Sequence, residues 1–288
     1  SAVVAFETLG GRNWAVIGWL GVASGGLILA YYTVIAGWSL RSFVHCLQWS
    51  FTGYPATAAA DFDASLCNGP LQILLTAAFA GLTTWIVRRG VGGGIERASK
   101  VMMPILLGIM VYLVATVMIL PGRAQGLDHL FVPRFDQLPA EGALMAVGQA
   151  FFSLSLGLGA MIAYGSYLGP RESIPRAAAW VVACDTAVAI MAGVVMFVII
   201  HSIAGMDGRI SGSTVGMLFK VLPELFYTQM PGGVLMGPLF FLLLTFAALT
   251  STISLGEVVA SLLIDRMGWS RSKATWVSAG MVFAISVP

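Results

Sequence analysis

The sequence predicts an all-α polytopic membrane protein, and its composition, the lengths of its apolar segments and its loop charges all support this fold class. Hydrophobic residues make up 58% of the 288 residues, charged residues make up 10%, and the mean hydropathy is +0.89. Soluble proteins average roughly 25% charged residues. The net charge of +2 gives no reason to expect a nucleic-acid partner. The expected surroundings are a lipid bilayer.

Apolar segments of spanning length recur along the chain. A transmembrane helix needs about 20 mostly apolar residues, and seven segments come near that length: 14–40, 71–87, 101–121, 143–168, 177–203, 235–264 and 274–288. We expect a single transmembrane domain over 1–288, with outside loops at 46–70, 122–142 and 204–232. No initiator methionine or signal peptide precedes Ser1, and the last segment stops at Pro288. We therefore expect a partial chain.

The basic residues in the connections predict the orientation of the spans. Lys and Arg concentrate in the cytoplasmic loops of membrane proteins. One alternate set of connections, which includes 89–100, 169–176 and 265–273, carries ten of the fifteen basic residues, whereas the other set carries four. The first set is therefore expected to lie in the cytoplasm.

The fourth segment is interrupted midway by SLSLGLG (153–159), where small and hydroxyl-bearing residues replace bulky ones. In hydrocarbon every backbone N–H and C=O must be paired, so an unwound turn persists only where it is buried in protein or lines a cavity. We expect a helix broken near 153–159. Its free backbone groups could hold an ion or a small polar solute.

Two polar residues inside the predicted spans mark a candidate ion site, because such residues are costly in lipid. Asp185 lies about eight residues into the fifth span, and a rise of 1.5 Å per residue places it roughly 12 Å deep, near the bilayer centre. Ser153 reaches a similar depth, so the two could share one cation. The alternative for Asp185 is a packing hydrogen bond to a neighbouring helix.

The sixth span contains AALTSTIS (247–254), in which Thr250 and Ser251 are adjacent and the carbonyl of Ala247 lies three residues before Thr250. Hydroxyl and carbonyl oxygens suit a small hard cation better than a transition metal. Ser and Thr also serve helix packing in membranes, so the pattern alone leaves both interpretations open. Glu257, two turns further along, fits either an inner gate or helix packing.

Cysteine and histidine indicate no further site. Cys46 and Cys67 bracket the first outside loop and could pair, although free thiols are the preferred interpretation in a chain this apolar. The histidines His45, His129 and His201 are expected at outer helix ends, apart from one another. The sequence contains no zinc-site spacing.

Five motifs occur in order along the chain: LAYYTVIAGW (29–38), GIERASKVMMP (94–104), GQAFFSLSLGLG (148–159), CDTAVAIMAG (184–193) and FAALTSTIS (246–254). Together they resemble the bacterial members of the neurotransmitter:sodium symporter family. The leucine-transporter fold of that family has inverted repeats and a discontinuous substrate-site helix. By this resemblance the visible spans correspond to about the third to the ninth of a longer bundle.

The resemblance also implies roles for individual residues. Tyr32 matches the residue that hydrogen-bonds the substrate carboxylate, and Phe152 matches an aromatic lid above the substrate. The substrate pocket would further include Ile28, Ser153, Ser155, Leu158 and Gly159. Ser153 and Asp185 match ligands of the sodium near the substrate. The second sodium would be held by Ala247, Thr250 and Ser251.

The function implied by the resemblance is a sodium-coupled symporter that imports an amino acid across the bacterial inner membrane by alternating access. Two sodium sites and no organic cofactor are expected, and a homodimer is compatible with this function. Ala189 stands where chloride-dependent relatives have serine, and Asp185 where many relatives have asparagine, so chloride independence is expected. Ile28 and Leu158 favour a hydrophobic substrate, because a pocket without a buried charge penalises charged ones.

Two other classes of protein serve as alternatives. A membrane-embedded enzyme that uses Asp185 would need a second catalytic group, and the spans offer none. A cation channel would need a continuous polar lining, whereas the polar groups here cluster at one depth.

Overall fold

The computed structural model describes residues 1–135, 139–169, 171–202, 214–230 and 232–286. Every regular element in these ranges is helical, so the predicted fold class is confirmed for them. Parts of the predicted outside loops 122–142 and 204–232, and the final residue Pro288, lie outside the described residues.

The helices succeed one another along the described ranges, and two π-helical turns interrupt the α-helical pattern, at Val91–Ile95 and Met217–Val221. The α-helices are α1 (Ala2–Gly10), α2 (Ala15–Thr52), α3 (Ala58–Leu66), α4 (Gly69–Arg88), α5 (Glu96–Val117), α6 (Arg123–Phe131), α7 (Gly142–Ser153), α8 (Ala160–Gly165), α9 (Ile174–Ser202), α10 (Thr214–Gly216), α11 (Leu222–Gln229), α12 (Gly233–Met267) and α13 (Arg271–Ser286).

Five helical segments of the described chain are long and apolar enough to cross a membrane: α2, α4, α5 with the π turn before it, α9 and α12. The fourth predicted segment is divided between α7 and α8, and the last corresponds to α13. Helix α2 runs to Thr52 rather than to residue 40. Its last turns contain Arg41, His45 and Gln48, which lower the hydropathy of the segment although they share one face of the helix.

Helix α12 lies at the centre of the bundle. It packs against α2, α4, α5, α11 and α13, and from Leu255 to Leu263 every residue is buried. Helix α7 has no buried residue, and the buried residues of α9 are confined to its C-terminal half, between Val194 and Ile200. In this chain the centre of the bundle is closely packed, and α7 with the N-terminal half of α9 forms a sparsely covered flank.

The cysteines are free, as preferred from the sequence, whereas two of the histidines lie closer together than expected. Cys46 is buried, Cys67 is exposed, and neither is in a disulfide. The expectation that the histidines lie apart is wrong for His129 and His201, whose ring centroids are 5.2 Å apart. They meet because α6 lies directly on the outer end of α9, where a Cβ atom on Gly122 would overlap the carbonyl carbon of His201 at 2.3 Å.

Candidate functional site

The break in the fourth segment consists of residues 154–159, called the unwound segment below. Helix α7 ends at Ser153, α8 begins at Ala160, and between them the Leu156 amide donates to the Phe151 carbonyl at 2.8 Å, a wider turn than an α-helix makes. Ser155 has a φ of 54°, and it is the one non-glycine residue with a positive φ in the described ranges. Strained conformations of this kind cluster at functional sites.

Glycines on α2 allow this helix to touch the unwound segment directly. A Cβ atom on Gly21 would lie 2.9 Å from the carbonyl oxygen of Gly157, and one on Gly25 would lie 3.2 Å from that of Leu158. Any side chain at Gly21 would push the segment away, so this close approach requires glycine at that position. The unwound backbone is thus buried in protein on one side, as such a turn in a membrane requires.

Ser153 and Asp185 meet at the end of α7. The Ser153 hydroxyl donates to the Asp185 carboxylate, with its Oγ 2.8 Å from Oδ1 and 2.7 Å from Oδ2. Asp185 is half-buried in the middle of α9, on the sparsely covered flank. A carboxylate accepts about four hydrogen bonds, so one hydroxyl leaves most of its acceptor capacity unused. The Ser153 Oγ atom and the two Asp185 carboxylate oxygens therefore lie together. Hard oxygen ligands of this kind suit a small cation.

A second group of hydroxyls lies on α12. Thr250 donates to the carbonyl of Ala247 at 2.8 Å, and Ser254 donates to the carbonyl of Thr250 at 3.0 Å. The neighbouring Ser251 is exposed in this chain, and its side chain lies beside the Tyr32 side chain of α2. The two helices are thus joined by a polar contact between a predicted substrate residue and a predicted sodium ligand.

One cavity of about 520 Å³ brings most of these groups together. Of the residues predicted from the sequence, eight line it: Ile28, Tyr32, Phe152, Ser153, Ser155, Leu158, Thr250 and Ser251. Asp185 and Ala247 do not line the cavity themselves. Asp185 accepts a hydrogen bond from the lining residue Ser153, and the Ala247 carbonyl accepts one from the lining residue Thr250. Gly159 does not line it, because this buried glycine faces Ala2 and Val258.

The cavity also contains polar residues that the sequence did not single out. Tyr164 of α8 donates to Ser254 of α12 at 3.1 Å, and both line the cavity, as does Ser99 of α5. Ser254 lies one helical turn after Thr250, so the periodicity of α12 could have identified it. Tyr164 and Ser99 carry no comparable signal, because their position depends on how α5 and α8 pack.

A separate polar cluster lies on the side expected to be cytoplasmic. Glu257 is fully buried. Its carboxylate accepts two bonds from the Arg271 guanidinium, at 2.7 and 2.8 Å, and one from the Tyr167 hydroxyl at 2.5 Å. Gly268, with a φ of 66°, ends α12 and permits the turn that returns Arg271 to Glu257. Arg271 also donates to the Val87 carbonyl at 3.1 Å, so the cluster joins α4, α12, α13 and the turn that follows α8.

Comparisons with known proteins agree with this arrangement. The sodium:neurotransmitter symporter family matches residues 64–287. An uncharacterised sodium-dependent transporter of Bacillus subtilis strain 168, YhdH, is 37% identical over 100% of this chain and 63% of its own length. A sodium-dependent transporter of Methanocaldococcus jannaschii is 31% identical over 99% of this chain and 61% of its own. The chain therefore spans about three fifths of these relatives.

A solved structure is similar over the whole chain. The crystal structure of MhsT in complex with L-phenylalanine superimposes with a TM-score of 0.88 at 38% identity, covering 100% of this chain and 65% of that one. The predicted leucine-transporter fold is confirmed by this likeness. The relatives named here are transporters rather than enzymes. Because the family match covers most of the chain, this protein belongs to the sodium:neurotransmitter symporter family.

Proposed function

We propose that this chain is the core of a sodium-coupled symporter that imports an amino acid across a bacterial inner membrane. The observation that carries the proposal is the single cavity that contains the Tyr32 hydroxyl, the Ser153 hydroxyl bound to Asp185, and the hydroxyls of Thr250 and Ser251. The family membership and the sodium-dependent relatives support the same class of activity.

The first sodium would be held by Asp185 and Ser153. Asp185 supplies a negative charge close to the cavity, and Ser153 already directs its hydroxyl at both carboxylate oxygens. When a cation binds, the hydroxyl proton can turn away, so that a lone pair of the same oxygen joins the carboxylate as a ligand. Sodium would then connect α7 to α9 across the end of the unwound segment.

The second sodium would be held by the Thr250 and Ser251 hydroxyls with the Ala247 carbonyl. Ser251 also contacts Tyr32, the residue proposed to bind the substrate carboxylate. Substrate at Tyr32 and sodium at Ser251 would therefore favour the same arrangement of α2 and α12. A ligand shifts a conformational equilibrium only by its difference in affinity for the two states, and this shared contact provides such a difference.

The substrate would have a hydrophobic side chain. Among the described residues that line the cavity none is charged, and Ile28, Met103, Leu158, Val181, Ile253 and Leu255 supply apolar surface. A charged side chain would lose its hydration in such a pocket without compensation. MhsT was crystallised with L-phenylalanine, and an apolar amino acid of this kind fits the same reasoning here.

Chloride would not be needed. Ala189 lies one helical turn after Asp185 on α9, and its methyl side chain cannot hydrogen-bond an anion. The fixed charge of Asp185 would take the place of the anion beside the sodium.

Uptake into proteoliposomes tests the proposal. An inward sodium gradient should drive saturable accumulation of labelled amino acid, and an inside-negative potential should increase it, since each charge gains about 2.3 kcal/mol per 100 mV. Hydrophobic amino acids should compete, and replacing chloride with gluconate should change little. Accumulation that continues in potassium without sodium, or an unsaturated conductance typical of a channel, would contradict the proposal.

A further inference from the structure

A second, smaller cavity lies at the end of the bundle that we predict to be outside. It has a volume of about 220 Å³ and lies between the last turns of α2, helix α3 and the segment formed by the second π turn and α11. Its polar lining includes Arg41, His45 and Gln48 of α2 and Asp61 of α3. Three separate elements therefore contribute side chains to one polar pocket.

This outer pocket is distinct from the central cavity. The two share no lining residue among those described. Arg41 follows Tyr32 by nine positions, which is about two and a half helical turns and places the two side chains on opposite faces of α2. The position of Arg41 is therefore not explained by substrate binding at Tyr32.

The charges of the outer pocket are opposite but not paired. Arg41 and Asp61 interact electrostatically, yet within the described part of the chain no ion pair or hydrogen bond engages the Arg41 guanidinium. The Asp61 Oδ2 atom accepts from the Thr57 hydroxyl at 2.9 Å. The guanidinium thus has all its donors available, and Asp61 retains acceptor capacity.

Aromatic rings and an ion pair fix the walls of the outer pocket. Phe62 of α3 stacks on Phe219 of the π turn, with ring centroids 5.3 Å apart, and the Trp38 ring stands edge-on to both. Lys220, next to Phe219, pairs with Asp63 of α3. These contacts hold α3 against the π turn independently of Arg41 and Asp61. The pocket is therefore preorganised, which reduces the entropy lost when a ligand binds.

We propose that the outer pocket binds a small zwitterion with one carboxylate and one ammonium group, such as a short α-amino acid. Arginine presents a planar fork that matches a carboxylate, and Asp61 can accept from an ammonium group. A simple anion would bind Arg41 and bring no positive charge to Asp61, whereas a zwitterion offers a partner of opposite charge to both residues. A short side chain would contact Phe62 and Phe219.

Binding there would link three elements of the outer end: α2, α3 and the π turn with α11. A ligand that contacts all three stabilises the conformations in which they are together. The expected consequence is a regulatory effect from the outside, exerted without occupying the central cavity. This site requires no sodium, because no sodium ligand proposed above belongs to it.

Isothermal titration of the purified protein in potassium buffer without sodium tests the proposal. The central cavity is expected to need sodium for tight binding, so heat from glycine in this buffer would report the outer pocket. Glycine should bind at least about tenfold more tightly than acetate or methylamine, because each of these lacks one of the two charged groups. Because the two cavities share no lining residue, variants of Arg41 and Asp61 show which cavity binds glycine even if the proposed sodium coupling is wrong.

Two variants and one control locate the binding. Arg41→Gln should weaken glycine binding at least about tenfold, and Asp61→Asn should reduce it to the affinity for acetate. Arg123→Gln removes an exposed arginine of α6 outside the pocket and should change nothing. Thermal unfolding shows whether each variant is folded. If Arg41→Gln does not fold, the glycine affinity of Asp61→Asn is compared with that of the wild type instead.

Three results would overturn the proposal. The first is the absence of glycine binding to the wild type without sodium at tens of millimolar. The second is equal binding by the wild type and a folded Arg41→Gln or Asp61→Asn variant. The third is acetate binding as tight as glycine, which would indicate an anion site instead.

Discussion

Two carboxylates inside the spans, Glu257 and Asp185, differ in how deeply they are buried and in how many groups hydrogen-bond them. Glu257 is fully buried and accepts from both arms of the Arg271 guanidinium and from Tyr167. Asp185 is half-buried, and the hydrogen bonds that the structure gives it come from Ser153. The protein thus neutralises one carboxylate with fixed groups of its own, whereas the other has one hydroxyl partner among the described residues and is the one proposed to hold sodium.

The difference follows from the cost of burying charge. An ionised carboxylate is stable in the interior only when it is paired and hydrogen-bonded. Glu257 meets this condition on the closely packed α12, where no further ligand is required. Asp185 lies on the sparsely covered flank beside the central cavity, where the proposed sodium ion would supply the missing charge. We therefore expect changes at Glu257 to affect stability and changes at Asp185 to affect sodium.

The largest expected effect on stability comes from Arg271→Met. This change removes both guanidinium bonds and leaves Glu257 buried with one hydroxyl partner, which should cost about 3–5 kcal/mol of folding free energy. Thermal unfolding in detergent measures it. The double variant Arg271→Met/Glu257→Gln removes the buried charge as well and should recover much of the loss. If the single variant unfolds at the wild-type temperature, the cluster is not a structural element.

Tyr32→Phe should have the next largest effect, on substrate affinity. It deletes a hydroxyl proposed to donate to the substrate carboxylate, a charge-assisted bond worth about 1.5–3 kcal/mol. Equilibrium binding of labelled substrate in saturating sodium measures the loss. Tyr31→Phe is the matched control, because this neighbouring tyrosine is exposed and does not line the cavity. Equal affinities for both variants would indicate that Tyr32 serves packing instead.

The double variant Thr250→Ala/Ser251→Ala should raise the sodium concentration for half-maximal uptake tenfold or more. Two ligands at about 1 kcal/mol each account for a change of this size. Ser261→Ala provides the control on the same helix, since Ser261 is buried and donates to the Val258 carbonyl away from the cavity. An unchanged sodium dependence in the double variant would reject the second sodium site.

A smaller change is expected from Tyr164→Phe. It removes a single neutral hydrogen bond to Ser254, worth about 0.5–1.5 kcal/mol. Sodium and substrate half-saturation should therefore each shift by less than about tenfold. A complete loss of uptake in this variant would mean that Tyr164 takes a direct part in the site.

Particular residues show how far the sequence predicts this molecule. SLSLGLG predicted the break between α7 and α8 because bilayers restrict unpaired backbone. Their similar depth indicated that Ser153 and Asp185 could meet, and the family resemblance implied the same pair. The partners of Glu257 could not be predicted, because the contact with Arg271 depends on the turn at Gly268 and the contact with Tyr167 on how α8 packs. Likewise, hydropathy gave no sign that Arg41 and Asp61 share a pocket.

The central claim, that Asp185 holds a transported cation whereas Glu257 is neutralised by the protein, is tested most directly by the sodium dependence of uptake in Asp185→Asn. The variant keeps the shape of the side chain and one oxygen ligand but removes the charge. We predict wild-type thermal stability, at least about tenfold weaker sodium dependence, and some recovery by chloride when Ala189→Ser is added. Full uptake at the wild-type sodium concentration without chloride would contradict the account.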